Sequence, residues 1–238
     1  MRLGFLSILS CFFLNAVSAA EVEFGADYSR APEALVIKGR NIPVKFGAAI
    51  VGFKTQLSPE STIAFKLGKG YDPSVNRTFL DVDSNGPATC GMVIVELEHR
   101  LTKVGRLDIS GGGGFKYQQV HAKLSGNTNG GPFAGTADIG SRWVEVHLKA
   151  DYPVSDTSAV YGKAGLQLWR YNFEAFGSME RVRVWTDSAE RGISPKFAMG
   201  GSRKFGDITM TAELSTYSLR SDNKTWVSGL LVKASRDW

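Results

Sequence analysis

From Glu21 onward the chain repeats one pattern: apolar and polar residues alternate with a period of two, broken at intervals by turn-forming residues. That period belongs to strands, whose successive side chains point to opposite faces of a sheet. In EVEFGADYSR, Val22, Phe24, Ala26 and Tyr28 face one way and Glu23, Gly25 and Asp27 the other. In VKFGAAIVGF, Val44, Phe46, Ala48 and Ile50 alternate with Lys45, Gly47, Ala49 and Val51, and in TIAFKLGKG, Ile63, Phe65 and Leu67 alternate with Lys66. The pattern continues through Val93, Val95 and Leu97 against Glu96 and Glu98, and through Phe115 and Tyr117 against Lys116. Val144, Val146 and Leu148 then oppose Glu145, His147 and Lys149, and Ala164, Leu166 and Leu168 oppose Lys163. Phe197 and Met199 follow, then Ile208, Met210 and Leu214 opposite Glu213, and last Leu230 and Val232 opposite Lys233. The chain is expected to be all-β, with ten strands, or eight as the alternative.

The connections between these segments alternate in length. Short turns sit at QLSPES, LTKVGR, PVSDTS and KFGD, and long glycine-rich stretches at 31–41, 72–89, 125–141 and 177–194, with a shorter one at 220–224. Short on one side and long on the other describes an antiparallel up-and-down meander, which in a transmembrane β-barrel puts the short turns in the periplasm.

Residues 1–20, MRLGFLSILSCFFLNAVSAA, carry one positive charge, an apolar run from Leu3 to Leu14 and small residues at Ser18 to Ala20. This is the form of a secretory signal peptide. The run falls short of the ~20 residues that a spanning helix needs, and nothing later in the chain reaches that length, so any membrane crossing falls to strands. Residues 21–238 then form one barrel domain in the outer membrane of a Gram-negative cell, exported by that signal. Once Cys11 is removed Cys90 is alone, which leaves stability to a closed sheet and not to disulfides. The formal net charge of +5 is spread along the strands instead of gathered in a patch, so nucleic acid is not an expected partner.

The polar face decides between a soluble and a membrane barrel. Glu23, Asp27, Lys45, Lys66, Glu96, Glu98, Lys116, Glu145, Lys149, Lys163, Glu213 and Lys233 mix both signs along one face. Such a set suits a narrow lumen, where carboxylates and amines pair and fill the interior while the apolar face meets lipid. In lipid every backbone group must bond internally, and a closed barrel is the strand solution. Tyr28, Trp143, Trp169, Tyr171, Trp226 and Trp238 are expected to mark the interfaces.

The stretches YGKAGLQLWRY, FAMGGSRKFGDITMTAELSTYS and WVSGLLVKASRDW resemble the final strands of the OmpA-like outer-membrane β-barrel family. The resemblance covers roughly the last third of the chain and marks a fold, not an activity. It implies that Glu213 is a lumen carboxylate and that Trp238 is the terminal aromatic read by the outer-membrane assembly machinery. The chain departs from that family in ending on Trp, where Phe is usual, and in its ten strands, where eight are commonest.

No catalytic, cofactor or metal site is expected. SGGGGFK lacks the Gly-Lys-Ser/Thr of a phosphate-binding loop, so Gly111 to Gly114 are expected to let the strand curve and bulky lumen residues pass. The three histidines fall at different heights, with His99 near the periplasmic end, His147 in the lumen and His121 toward the outer end. No stretch resembles the omptin proteases or the lipid A deacylases, and His121 with Asp138 is the one pair worth testing. The expected role is envelope integrity or surface interaction, with outer-membrane lipid and lipopolysaccharide as neighbours and surface ligands unspecified. A small diffusion channel, a hydrolase and an adhesin are the alternatives.

Overall fold

A computed structural model describes residues 20–37, 40–79, 82–128, 131–179, 182–218 and 226–237. They form ten strands: β1 (Ala20–Ile37), β2 (Arg40–Ser58), β3 (Ser61–Phe79), β4 (Val82–Val104), β5 (Leu107–Thr128), β6 (Gly131–Ser155), β7 (Ser158–Met179), β8 (Val182–Phe205), β9 (Ile208–Ser218) and β10 (Trp226–Asp237). Each strand pairs antiparallel with its neighbour in sequence, and β1 pairs with β10 to close the barrel. The leader expected at 1–20, apart from Ala20, the connection expected at 220–224 and Trp238 lie outside the described residues.

A path across the hydrogen-bonded partners fixes how the barrel closes. Beginning at Arg191 on β8 it runs through Arg170, Arg142, Tyr117, Val93, Leu67, Val51, Phe24, Ala234 and Met210, and it returns to β8 at Arg203. The return point lies twelve residues along β8 from the start (203 against 191). Such a stagger over ten strands requires tilted strands, in keeping with the ~35–45° usual for barrels.

The four short turns are two-residue hairpins at 59–60, 105–106, 156–157 and 206–207. Gly105 and Gly206 hold φ of 61° and 60°, a left-handed conformation that a side chain disfavours and tight hairpins require. The other two turns use a serine: Ser58 Oγ accepts from the Glu60 N–H at 3.3 Å, and Ser155 Oγ accepts from the Thr157 N–H at 3.3 Å.

On the opposite side the long polar stretches are not loops, as the sequence pattern suggests. Strand pairing continues through them up to Ile37–Arg40, Phe79–Val82, Thr128–Gly131 and Met179–Val182. Glycine, serine and threonine interrupt the alternation there without interrupting the ladder, because backbone hydrogen bonds do not depend on side-chain type. β6 has 25 residues, roughly 80 Å along the strand, whereas crossing a bilayer takes ~9–11 residues. The walls from β3 to β8 therefore rise far beyond an apolar band. β9 and β10, at 11 and 12 residues, are short, and residues 182–195 of β8 pair only on their β7 side among the described residues. Among the described residues, β4 to β8 thus reach further outward than β9 and β10.

The apolar register faces out. Phe24, Val51, Leu67, Val93, Phe115, Val146, Leu166, Met199, Leu214 and Val232 are all exposed, Leu67 at 60% and Met199 at 67%. An apolar surface that encircles the molecule in this way exceeds anything a soluble monomer exposes. It is the lipid-facing band of a transmembrane barrel. No helix among the described residues is long and apolar enough to cross a membrane.

Two expectations are corrected by this register. Trp143, Trp169 and Tyr171 do not belong to an interfacial belt: Trp169 and Tyr171 are buried inside the barrel, and Trp143 packs against the same internal cluster. Their numbers already place them on the face of Lys163, and aromatic character alone misassigns them. Tyr28, Tyr71 and Trp226 do face outward. In β2, Ala48 and Ile50 face inward and Val51 outward, the reverse of the reading that grouped Ile50 with the lipid face. Both faces of that segment are apolar, so periodicity does not give their direction.

Candidate functional site

Two layers of different chemistry fill the lumen. The layer toward the two-residue turns is ionic. Lys66 lies between two carboxylates, with Nζ 2.6 Å from Glu96 and 3.2 Å from Glu23. Glu23, 2% exposed, also receives Lys233. Glu213 accepts from Lys163 Nζ and from the Tyr161 hydroxyl, each at 2.8 Å. Lys149 reaches Glu98 at 3.1 Å and Asp151 at 3.0 Å, and Ser110 Oγ donates to Glu98 at 2.9 Å. Higher up, Lys116 pairs with Asp27 at 3.0 Å, and Glu145 with Lys196 and with His147 at 3.4 Å. Tyr161 adds its ring face, 4.9 Å from Lys149 Nζ and 5.3 Å from Lys163 Nζ.

Eleven of the twelve charged residues on the sequence's polar face thus form ion pairs and line the lumen cavities, in separate groups of contacts and not in one continuous network. The side chain of Lys45 lies outside the described residues. These groups also take in Asp151, Tyr161 and Lys196. Asp151 shares the alternation of Lys149 and could have been read from it. Tyr161 begins the strand of Lys163 on the same parity, but its role as a donor to Glu213 depends on β7 and β9 both flanking β8. Lys196 sits next to Pro195 where the alternation is weak.

Glycines make these contacts possible. His147 stands between Gly112 and Gly165 on the flanking strands; a Cβ at Gly112 would come 2.6 Å from its Nε2, and one at Gly165 2.7 Å from its Cβ. The run SGGGGFK is therefore a space-making device, as the missing Lys-Ser/Thr implied. In the same way Tyr161 lies over Gly200 and Trp169 over Gly192.

The outer layer is apolar. Met92, Val120, Ile139, Trp169, Tyr171, Phe173 and Phe133 are buried together, with the rings of Trp169 and Tyr171 stacked at 5.2 Å and 10°. Cys90 belongs to this layer, buried, its Sγ accepting from Gln118 Nε2 at 3.1 Å. Among the described residues, two cavities, of about 100 Å³ and about 310 Å³, lie between and below the layers. Lys66, Glu96, Glu213 and Leu231 line both, so these side chains form the partition.

The histidines do not converge. His99 accepts or donates at Ser61 Oγ, 2.8 Å away near a turn, and His147 is in the lumen. His121 Nδ1 meets Asp138 Oδ1 at 2.8 Å, on the outer wall of the barrel, with side chains 44% and 41% exposed. The pair that the sequence singled out exists, but no pocket encloses it. No group of three metal-ligating side chains is found among the described residues.

No protein-family model matches the chain and no curated protein matches it. Solved structures do. The translocator domain of the autotransporter NalP from Neisseria meningitidis superposes with a TM-score of 0.60 at 12% identity, over 98% of this chain and 93% of that one. The outer membrane protease OmpT from Escherichia coli gives 0.50 at 10% identity, over 92% and 94%. Ail, the attachment invasion locus protein of Yersinia pestis, gives 0.41 at 10% identity, over 93% and 99%. Identities this low speak for the fold alone. They do not extend to the OmpA-like resemblance of the last third. What the register, the apolar band and the first two superpositions establish together is the fold of an outer-membrane β-barrel.

Proposed function

We propose that this protein is a non-conducting barrel of the Gram-negative outer membrane that acts through its raised outer hairpins, in envelope integrity or surface interaction, without catalysis. One observation carries the reading: paired charges and a layer of buried aromatics stand one above the other in the lumen. A diffusion channel needs a continuous wet path, and the reading is that these two layers block it. The outer strands, by contrast, extend well past what a bilayer requires, which raises them beyond the band where a surface ligand could meet them. Lipid and lipopolysaccharide are the proposed neighbours of that band. The His121–Asp138 pair lacks the water-excluding pocket that acid–base catalysis uses, and it is not proposed as an active site.

Planar bilayers test this. Protein refolded into detergent, verified as closed by a mobility shift between boiled and unboiled samples, is expected to add no conductance steps above the bare bilayer. Reproducible single-channel steps from heat-modifiable protein would overturn the closed-lumen reading.

A further inference from the structure

The outward face of β5 to β8 carries a charge arrangement that the lumen does not explain. Arg142, Arg170 and Arg191 are direct cross-strand partners on β6, β7 and β8, all exposed, with Tyr117 next in the row on β5. Two residues inward along the same strands the row reads Phe115, Val144, Leu168 and Ile193, all exposed and apolar. Four residues outward it reads His121, Asp138, Glu174 and Asp187. Three guanidinium groups therefore stand side by side at the outer edge of the lipid-facing band.

Directly opposed side chains in neighbouring strands have Cβ atoms ~4.5–5.5 Å apart, and like charges placed so are destabilising. Among the described residues no carboxylate forms an ion pair with any of the three. Arg142 lies over the Tyr117 ring at 5.8 Å, and Arg170 gives only its Nε, to Asn172 Oδ1 at 3.4 Å. The terminal nitrogens of three planar forks are left for an anion with several oxygens. Glu190, next to Arg191, points inward to the Tyr171 hydroxyl, and Glu145 points inward to Lys196; on the outward register the nearest acids are four residues away, ~13 Å along the strand, too far to serve and of a sign that would turn an anion back toward the arginines.

We propose that Arg142, Arg170 and Arg191 bind the phosphate of a phosphorylated outer-leaflet lipid whose acyl chains lie on Phe115, Val144, Leu168 and Ile193. The position decides the source. A free phosphate has no reason to stop at the border of the band, whereas a lipid headgroup is delivered there by its own chains, and attraction strengthens where water is scarce. The inference rests on the outer-membrane reading and adds to it a site and a ligand class.

The test is native mass spectrometry of the full barrel, refolded in uncharged detergent and titrated with diphosphorylated lipid A, with dephosphorylated lipid A, and with lipid A in the presence of millimolar inorganic phosphate. One lipid A is expected to remain bound, and R142Q/R170Q/R191Q is expected to weaken it by about tenfold or more, the equivalent of losing one or more charge-assisted hydrogen bonds. R170Q alone is expected to weaken it measurably, and R203Q, at the other edge of the band, to leave it unchanged. Equal binding by the triple variant and the parent, or equal binding of the dephosphorylated lipid, would overturn the site. Displacement by inorganic phosphate would overturn the lipid as its ligand. A boiled-against-unboiled mobility shift retained in each variant separates failure of this site from failure of the barrel reading.

Discussion

Lys66→Met is expected to lower the unfolding free energy of the bilayer-inserted barrel by about 1–3 kcal/mol, the cost of taking a charged hydrogen-bond partner from buried Glu23 and from Glu96, whose side chain is 42% exposed. Lys66 is almost completely enclosed, with 7% of its side chain exposed, and it joins Glu23 on β1 to Glu96 on β4. Its loss leaves Glu96 without the lysine that lies 2.6 Å from it, while Glu23 retains Lys233. Methionine replaces the volume but not the charge. The double variant Lys66→Met/Glu96→Leu removes both members and is expected to recover most of the loss, because neither charge is then left without the other. Urea unfolding of the parent, both single variants and the double variant in vesicles gives the coupling energy directly. Additive single effects would mean that the two residues stabilise the barrel independently and that the partition is not held by this pair.

The fold was legible in the sequence because a membrane barrel writes its two faces on alternate residues. The four short turns and ten strands could be counted from that alternation, and the charged face located, without any long-range information. What the alternation hides is which residues fill the outer half of the lumen. Above Lys66 on its own face comes Gly68, and above Glu96 come Ile94 and Met92; the interior turns from ionic to apolar partway up each strand. Where inside and outside are both apolar, as at Ile50 and Val51, the period survives but its sign does not. Trp169 and Tyr171 are misread for the same reason, since aromatic residues suit an interface and a packed interior equally. The outer hairpins were misread as loops because glycine-rich polar sequence is common to both, and only cross-strand pairing distinguishes them. The arginine row is invisible for another reason: Arg142, Arg170 and Arg191 are far apart in sequence and become neighbours only through the register of two strand pairs.

On the proposal that two layers in series close the lumen, removing either alone is expected to leave the barrel non-conducting. Trp169→Ala/Tyr171→Ala strips the stacked pair from the outer layer, yet Lys66, Glu96, Glu213 and Leu231 still divide the two cavities. Each truncation is expected to cost about 3–5 kcal/mol as a large-to-small change in a packed interior, so folded protein must first be selected by its mobility shift. Lys66→Ala/Glu96→Ala removes a pair from the partition and merges the cavities of about 100 Å³ and about 310 Å³, but the aromatic layer above them stays shut. The quadruple variant opens both, and conductance steps are expected from it alone. Steps from either double variant would show that the other layer is not a seal. A silent quadruple variant would place the closure in residues other than these four, with Phe133 and Phe173 above or Lys163 and Glu213 below as the groups left across the path.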